Sequence, residues 1–88
     1  MKVIFTPHAL FEMKRRDLTK ELVENIIDHP DQSWEIRKGR SLYQKRGKMG
    51  SPEREYLVRV VVDVDRDPIE VVTAYRTSKI EKYWRAKS

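Results

Sequence analysis

The sequence lacks cysteine, and it has no apolar run long enough to span a membrane. Without cysteine, neither a disulfide framework nor a zinc site built on thiolates can form. The N-terminus also lacks the apolar segment of a secretory signal, so we expect a cytoplasmic protein with no membrane partner. No internal repeat, low-complexity segment or domain boundary interrupts the chain, which is long enough for one domain with a small core.

Charge is plentiful by contrast. Charged residues make up 38% and apolar residues 39% of the 88 residues, which is typical of a soluble α+β domain and not of a disordered chain. The net charge of +5 favours a phosphate-rich partner such as RNA, or an acidic protein.

The segment 55–77 is the clearest structural signal. Side chains suited to a buried strand face recur at every second position, first at Tyr56, Val58, Val60, Val62 and Val64, and then at Ile69, Val71, Thr73 and Tyr75. Period-two alternation predicts two strands, and the Asp- and Pro-containing stretch 65–68 predicts a tight turn between them. If this hairpin pairs Val62 with Val71 and Val58 with Tyr75, then Arg59 and Arg76 are close neighbours on the opposite face. A register slip by one residue would reverse these assignments.

Shorter elements precede and follow this hairpin. We predict a strand at 2–5, a helix from Thr6-Pro7 to about residue 16, and a second helix from Thr19 to just before Pro30. Strands follow at 33–38 and 41–48, and residues 78–87 form a terminal helix or ordered tail. This order predicts an α+β fold with both helices on one face of a small antiparallel sheet, the face of Val58, Val60 and Val62. The other face would then be open and basic.

Three short motifs resemble a known family. They are Pro7-His8-Ala9, Arg16-Asp17-Leu18-Thr19 and Val72-Thr73-Ala74-Tyr75-Arg76. Together they resemble the small domains called DUF4258, and residues 73–83 are also similar to the end of BrnT-type toxins. Both belong to the RelE-like superfamily of small toxin ribonucleases, so the resemblance implies a RelE-like fold and cleavage of RNA. Where DUF4258 chains usually carry Arg this chain has Glu12, and where they often carry Gly it has Asp17.

Metal-free RNA cleavage needs a general base, a general acid and cations that stabilise the charged phosphorane. Arg76 is the first candidate for stabilising that charge, with Arg59 assisting from the neighbouring strand. Tyr75 or His8 would transfer the proton. His8 lies in the first turn of a helix, where the dipole favours the neutral imidazole, and Glu12 one turn on could orient it.

Each of these candidates has an ordinary structural alternative. Arg59 and Arg76 can instead pair with Asp63 or Glu70 on the same face and form a solvated sheet surface. His8 can bond a sheet edge. Tyr75 can pack under the helices, unless the strand bends near its end and brings the phenol to the site.

A basic run also predicts contacts with the RNA backbone. The candidate RNA-binding residues are Arg37, Lys38, Arg40, Tyr43, Lys45, Arg46 and Lys79. Their cations suit phosphates, and the tyrosine suits stacking on a base. The alternative is a charged edge strand that resists aggregation.

The sequence thus predicts a metal-independent endoribonuclease toxin of a toxin–antitoxin pair. The alternative is a non-catalytic DUF4258-type module that binds RNA or a protein. The expected partners are RNA and an acidic antitoxin-like protein, with the chain as a monomer or homodimer. No cluster of histidines and carboxylates has metal-ligand spacing, so we expect no metal and no cofactor.

Overall fold

The computed structural model describes residues 2–86, which form an α+β fold with three helices and one mixed sheet. The elements are β1 (Val3–Phe5), α1 (Pro7–Arg15), α2 (Lys20–Asp28), β2 (Gln32–Arg37), β3 (Arg40–Met49), β4 (Arg54–Asp63), β5 (Ile69–Thr77) and α3 (Ile80–Tyr83). The expected terminal helix is therefore present as α3, while residue 87 of that predicted segment lies outside the described residues. Within 2–86, no helix is long and apolar enough to cross a membrane.

The strand order in the sheet is β1-β5-β4-β3-β2. The β2–β3, β3–β4 and β4–β5 pairs are antiparallel, as short connections between consecutive strands require. β1 instead pairs parallel to β5, so the prediction of a wholly antiparallel sheet is wrong at this edge. The helices and three strands separate β1 from β5 in the chain, and such a long connection permits the parallel pairing.

Polar caps begin the first two helices. The Thr6 hydroxyl accepts a hydrogen bond from the Ala9 amide at 3.0 Å, and the Thr19 hydroxyl accepts one from the Leu22 amide at 3.1 Å. Both caps satisfy amides that have no partner inside the helix. After α1, Asp17 adopts a φ of 57°, the left-handed conformation that glycine takes most easily.

The core joins the sheet to both helices. Residues of α1, of α2 and of the loop between them form one buried cluster with residues of β4 and β5, namely Ala9, Met13, Leu18, Val23, Ile26, Ile27, Val58, Val60, Val62, Val71 and Ala74. α1 contacts β5, while α2 contacts β3 and β4. We call the sheet face that carries Val58, Val60 and Val62 the core face, and the opposite one the second face.

A bulge in β5 changes the register of the hairpin. Val62 pairs with Val71, as predicted, but Val61 pairs with Thr73, so Val72 is an extra residue in β5. Beyond the bulge, every β5 side chain points to the face opposite to the one that strict alternation predicts.

The bulge separates two arginines that the sequence placed together. Val58 pairs with Arg76, and Arg59 pairs with Tyr75. Directly opposed residues share a face, so Arg76 lies on the core face and Arg59 on the second face. The prediction that they are neighbours on one face is therefore wrong.

The second face is not open, which corrects a further expectation. The segment that contains α3 and the residues after it crosses this face. The backbone carbonyl of Tyr83 accepts a hydrogen bond from Gln44 Nε2 at 3.3 Å, and the carbonyl of Arg85 accepts one from Gln32 Nε2 at 2.6 Å. The Arg85 guanidinium also lies 3.7 Å from the centre of the Trp34 ring. These contacts cover part of the second face with the chain's own C-terminal segment.

Candidate anion-binding site

A polar cleft of about 430 Å³ lies where α1, β4 and β5 meet. Its lining side chains are Arg15, Arg16, Tyr56, Arg76, Thr77 and Ser78, and we call this group the arginine cleft. Each of these six side chains carries a hydrogen-bond donor, and none is a carboxylate. A site with this composition attracts anions.

Secondary structure brings the cleft residues together from distant parts of the chain. Arg15 is the last residue of α1 and Arg16 is its C-cap, while Arg76 and Thr77 end β5. Tyr56 pairs with Gly47 two residues before Val58, so it lies on the core face beside Arg76. The cleft therefore forms where the core face extends past the end of α1.

Arg76 is held by soft, uncharged neighbours. Its guanidinium carbon lies 4.7 Å from the centre of the Tyr56 ring, a cation–π distance, and Nη1 lies 4.0 Å from the Met49 sulfur. These contacts orient the guanidinium without neutralising its charge.

The Arg16 guanidinium is held in place through one of its three nitrogens. Its Nη1 donates to the backbone carbonyl of Arg76 at 3.4 Å, and its guanidinium carbon lies 5.8 Å from the centre of the Tyr75 ring. Its Nε is enclosed and has no hydrogen-bond partner among the described residues. An enclosed donor without a partner lowers the stability of the fold by about 1–3 kcal/mol. The hydrogen bonds of Arg16 among the described residues therefore do not account for the enclosed position of its Nε.

The charge of the cleft is only partly balanced. Glu12 Oε2 lies 2.9 Å from Arg15 Nη1, so Arg15 is paired. Within residues 2–86, no carboxylate oxygen lies within 4.0 Å of Arg16 or Arg76. Two guanidinium groups thus share one cleft without a counter-ion from those residues.

Hydroxyl groups extend the set of donors. The Thr77 oxygen accepts a hydrogen bond from the Lys79 amide at 3.1 Å, which leaves the hydroxyl hydrogen free to donate to a ligand. Guanidinium forks beside hydroxyl donors match the acceptor oxygens of a phosphate.

Arg59 has a different environment on the second face. Its Nε donates to Gln44 Oε1 at 3.0 Å, its Nη1 donates to the Tyr75 hydroxyl at 2.7 Å, and its guanidinium carbon lies 4.3 Å from the centre of the Tyr83 ring. Neither the expected anion site between Arg59 and Arg76 nor the alternative pairing of Arg59 with Asp63 is present. Asp63 pairs with Arg40 instead.

The other catalytic candidates are also dispersed. Tyr75 does reach Arg59, because the bulge turns it to the second face, as a bend in the strand would do. His8 is exposed in the first turn of α1, whereas Arg15 and Arg16 are at the other end of that helix. Glu12 was expected to orient His8, but its carboxylate pairs with Arg15. The four predicted catalytic residues therefore do not form one group.

The basic run divides between the two faces of β3. Lys45 and Tyr43 pair with Val58 and Val60 on the core face. Arg46 lies on the second face, where it pairs with Glu55 at 3.1 Å.

Lys45 and Tyr43 have structural contacts of their own. The Lys45 ammonium donates to the His29 carbonyl at 2.9 Å, near the end of α2, and Tyr43 packs against the core. Arg37, Lys38 and Lys79 are exposed. The run therefore does not form one continuous strip.

Arg40 is the clearest case of a paired arginine. Its Nε lies 2.6 Å from Asp63 Oδ1, and its Nη2 donates to Asp63 Oδ2 at 3.1 Å. The hydrogen bond from Arg40 holds the pKa of Asp63 below its ordinary value, and the same bond raises the pKa of Arg40. Arg66 reaches the same carboxylate at 3.6 Å. This bidentate ion pair is a structural contact between β3 and β4.

Sequence reasoning missed five of the six cleft residues, since only Arg76 was a candidate. Arg15 and Arg16 occupy the end of α1, where a helix dipole favours cations in any protein, so they gave no separate signal. Tyr56 was assigned to the buried alternation of its strand. The available clue in the sequence was the pair of adjacent arginines at the end of the predicted first helix.

Across residues 2–86, no group of three or more His, Asp or Glu side chains is arranged to hold a metal ion. The donors of the arginine cleft are cationic or neutral N–H and O–H groups, which suit an anion and not a cation.

The comparisons with known proteins agree with part of the resemblance. The model of the family described as a domain of unknown function (DUF4258) matches residues 5–76. No curated protein and no solved structure matches the chain. The family match begins at the end of β1, covers both long helices and strands β2 to β4, and ends one residue before the end of β5. It includes four of the cleft residues, namely Arg15, Arg16, Tyr56 and Arg76. The chain belongs to the DUF4258 family.

Proposed function

We propose that this protein binds RNA in the cytoplasm by holding backbone phosphates in the arginine cleft. The observation that carries the proposal is the juxtaposition of Arg16 and Arg76 without a carboxylate partner among residues 2–86. Two neighbouring guanidinium groups repel each other unless an anion lies between them, and a phosphate is the anion their forks fit best.

The other features of the cleft agree with this ligand. Thr77 and Ser78 offer hydroxyl donors, and the net charge of +5 attracts a polyanion over longer distances. The Tyr56 ring beside Arg76 provides a flat surface next to the phosphate site.

A second candidate function is metal-independent cleavage of RNA in the same cleft. Tyr56 and Arg76 line it together, so a phenol and a guanidinium lie within one site. Arg76 would stabilise the phosphorane, in which the 2′-oxygen bonds to phosphorus as the bond to the 5′-oxygen breaks. Tyr56, in place of the predicted Tyr75 or His8, would carry the proton from the attacking 2′-hydroxyl to the leaving 5′-oxygen. The product would carry a 2′,3′-cyclic phosphate or its 3′-phosphate, because the internal 2′-hydroxyl is the nucleophile.

This second candidate goes with a RelE-like arrangement, in which α1 and α2 both cover the core face of the sheet. The shared cluster of helix residues with Val58, Val60 and Val62 supports that arrangement. A toxin of this kind would be controlled by an acidic antitoxin-like protein. If the neighbouring reading frame encodes such a protein, expression of this chain without it should stop growth.

The test of RNA binding is a titration of labelled single-stranded RNA over a range of salt concentrations. We expect Arg76→Ala to weaken binding and to lower the salt slope by about 0.7, the value for one phosphate contact on a single strand. Lys2→Ala is the matched control, because it also removes one positive charge. Lys2 is exposed and precedes β1 beside the start of β5, whereas Arg76 lies near the end of that strand. Equal slopes for Arg76→Ala and the wild type would refute the proposal.

The test of cleavage uses the same RNA in EDTA with the ends of the products identified. Products with a cyclic or 3′-phosphate that disappear with Arg76→Ala would establish the second function. Binding without cleavage leaves the protein as a binding module.

A further inference from the structure

The charge balance of the arginine cleft indicates which kind of phosphate it takes. Arg15 is neutralised by Glu12 at 2.9 Å, whereas Arg16 and Arg76 have no carboxylate partner in the described part of the chain. The cleft therefore holds two uncompensated positive charges. A phosphodiester inside an RNA strand carries one negative charge, while a terminal phosphomonoester carries about 1.5 to 2 at neutral pH.

The number of donors agrees with the charge. Two guanidinium groups and the hydroxyls of Thr77 and Ser78 all line the cleft. An internal phosphodiester offers two oxygens that are not part of the chain, whereas a monoester offers three strong acceptors. A monoester therefore presents more acceptor sites to donors that approach from different elements.

The positions of both arginines are also set before a ligand arrives. Arg16 is held by the Arg76 carbonyl and the Tyr75 ring, and Arg76 is held by the Tyr56 ring. Such preorganisation lowers the entropy cost of binding, so the cleft can distinguish ligands that differ by one charge and one oxygen.

We infer that the arginine cleft recognises a phosphomonoester, such as the phosphorylated end of an RNA strand, in preference to an internal phosphodiester. This inference rests on the proposed function, because it specifies the RNA group that the same cleft binds. The chemistry is shared by a 5′-phosphate, a 3′-phosphate and inorganic phosphate, and the experiment separates these sources.

The experiment compares one RNA sequence in three forms, with a 5′-phosphate, with a 3′-phosphate and with hydroxyls at both ends. We expect at least one phosphorylated form to bind about tenfold more tightly than the hydroxyl form. That preference should vanish in Arg16→Ala and in Arg76→Ala but persist in Lys2→Ala. Inorganic phosphate should compete with all three forms, because they occupy the same cleft, and at saturating phosphate the preference for the phosphorylated form should disappear.

A second variant guards against unfolding of the alanine proteins. Arg76→Lys keeps the positive charge but removes the bidentate guanidinium. This variant should therefore fold and retain only part of the preference for the phosphorylated RNA.

The possible failures are distinct. If all three RNAs bind equally and Arg76→Ala weakens all of them, the phosphomonoester inference is wrong while the proposed function stands. If no form of the RNA binds, the proposed function fails as well. A preference that survives in Arg76→Ala would place the terminal phosphate elsewhere and would also overturn the inference.

Discussion

Arg59 and Arg76 come from adjacent strands of one hairpin, yet their surroundings differ in almost every respect. Arg59 lies on the second face, where Gln44 and Tyr75 accept its hydrogen bonds and the Tyr83 ring stacks on it. Arg76 lies on the core face in a cleft with two other arginines and hydroxyl groups. Two of the three nitrogens of Arg59 donate to polar acceptors within the fold, whereas Arg76 donates to a sulfur, the weaker acceptor.

The difference shows that exposure alone does not mark a binding arginine. Both side chains are partly buried, and neither has a carboxylate within 4.0 Å among residues 2–86. Both arginines lie on an aromatic ring, and what separates them is their polar neighbours: Gln44 and Tyr75 accept hydrogen bonds from Arg59, whereas Arg76 shares its cleft with further donors. The proposed function accordingly uses Arg76 for binding, while Arg59 has contacts that serve stability.

The largest effect on stability should come from the hairpin core that carries both arginines. Val60 lies on β4 and is fully buried between the sheet and the helices. Val60→Ala should lower the free energy of unfolding by about 1–3 kcal/mol, from lost apolar burial and the cavity left behind. Chemical denaturation measures this value, and a change near zero would mean that Val60 is not in the core.

A smaller loss of stability should distinguish the two arginines themselves. Arg59→Ala removes a donor from Gln44, whose side chain is fully buried, and should cost about 1–2 kcal/mol. Arg76→Ala should change the free energy of unfolding by less than about 0.5 kcal/mol, because it relieves repulsion as it removes contacts. Equal losses of unfolding free energy in Arg59→Ala and Arg76→Ala would contradict the different structural roles of the two arginines.

The smallest effect concerns the paired arginine, Arg40, which serves as a reference for the other two. The pKa of Asp63 is lowered in the folded protein by its bond to Arg40, so the pair stabilises the fold at pH values above the ordinary pKa of an aspartate. That contribution should be lost as the pH falls below the ordinary pKa of an aspartate and through the lowered pKa of the folded protein, where the native carboxylate takes up the proton. Asp63→Asn should remove this part of the pH dependence, and an unchanged acid profile in the variant would show that the pair does not contribute.

Local sequence patterns predicted most of the elements of this fold. Thr6-Pro7 and Thr19 mark the helix starts because their chemistry is local, and period-two alternation of strand-forming residues marks both strands of the hairpin. The parallel pairing of β1 was not predictable, because nothing in a three-residue strand specifies its partner. The DUF4258 family was recognised correctly from its short motifs.

The faces on which Tyr75 and Arg76 lie were harder to predict, because one extra residue in β5 changes the register of the hairpin. Val72 occupies the bulge, but a valine there continues the β-branched pattern and carries no sign of an irregularity. That single extra residue moves Tyr75 and Arg76 to the opposite faces. The cover over Arg59 was also hidden, because it depends on hydrogen bonds between distant polar residues such as Gln32 and Arg85.

The most direct test of the central claim is the salt dependence of RNA affinity in Arg59→Ala and Arg76→Ala, measured on protein shown to be folded by circular dichroism. Each variant removes one arginine from the same hairpin, so the two have equal net charge. We expect Arg76→Ala to lower the salt slope by about 0.7 and Arg59→Ala to leave it unchanged. A lowered slope in Arg59→Ala together with a normal slope in Arg76→Ala would contradict the account and place the RNA on the second face.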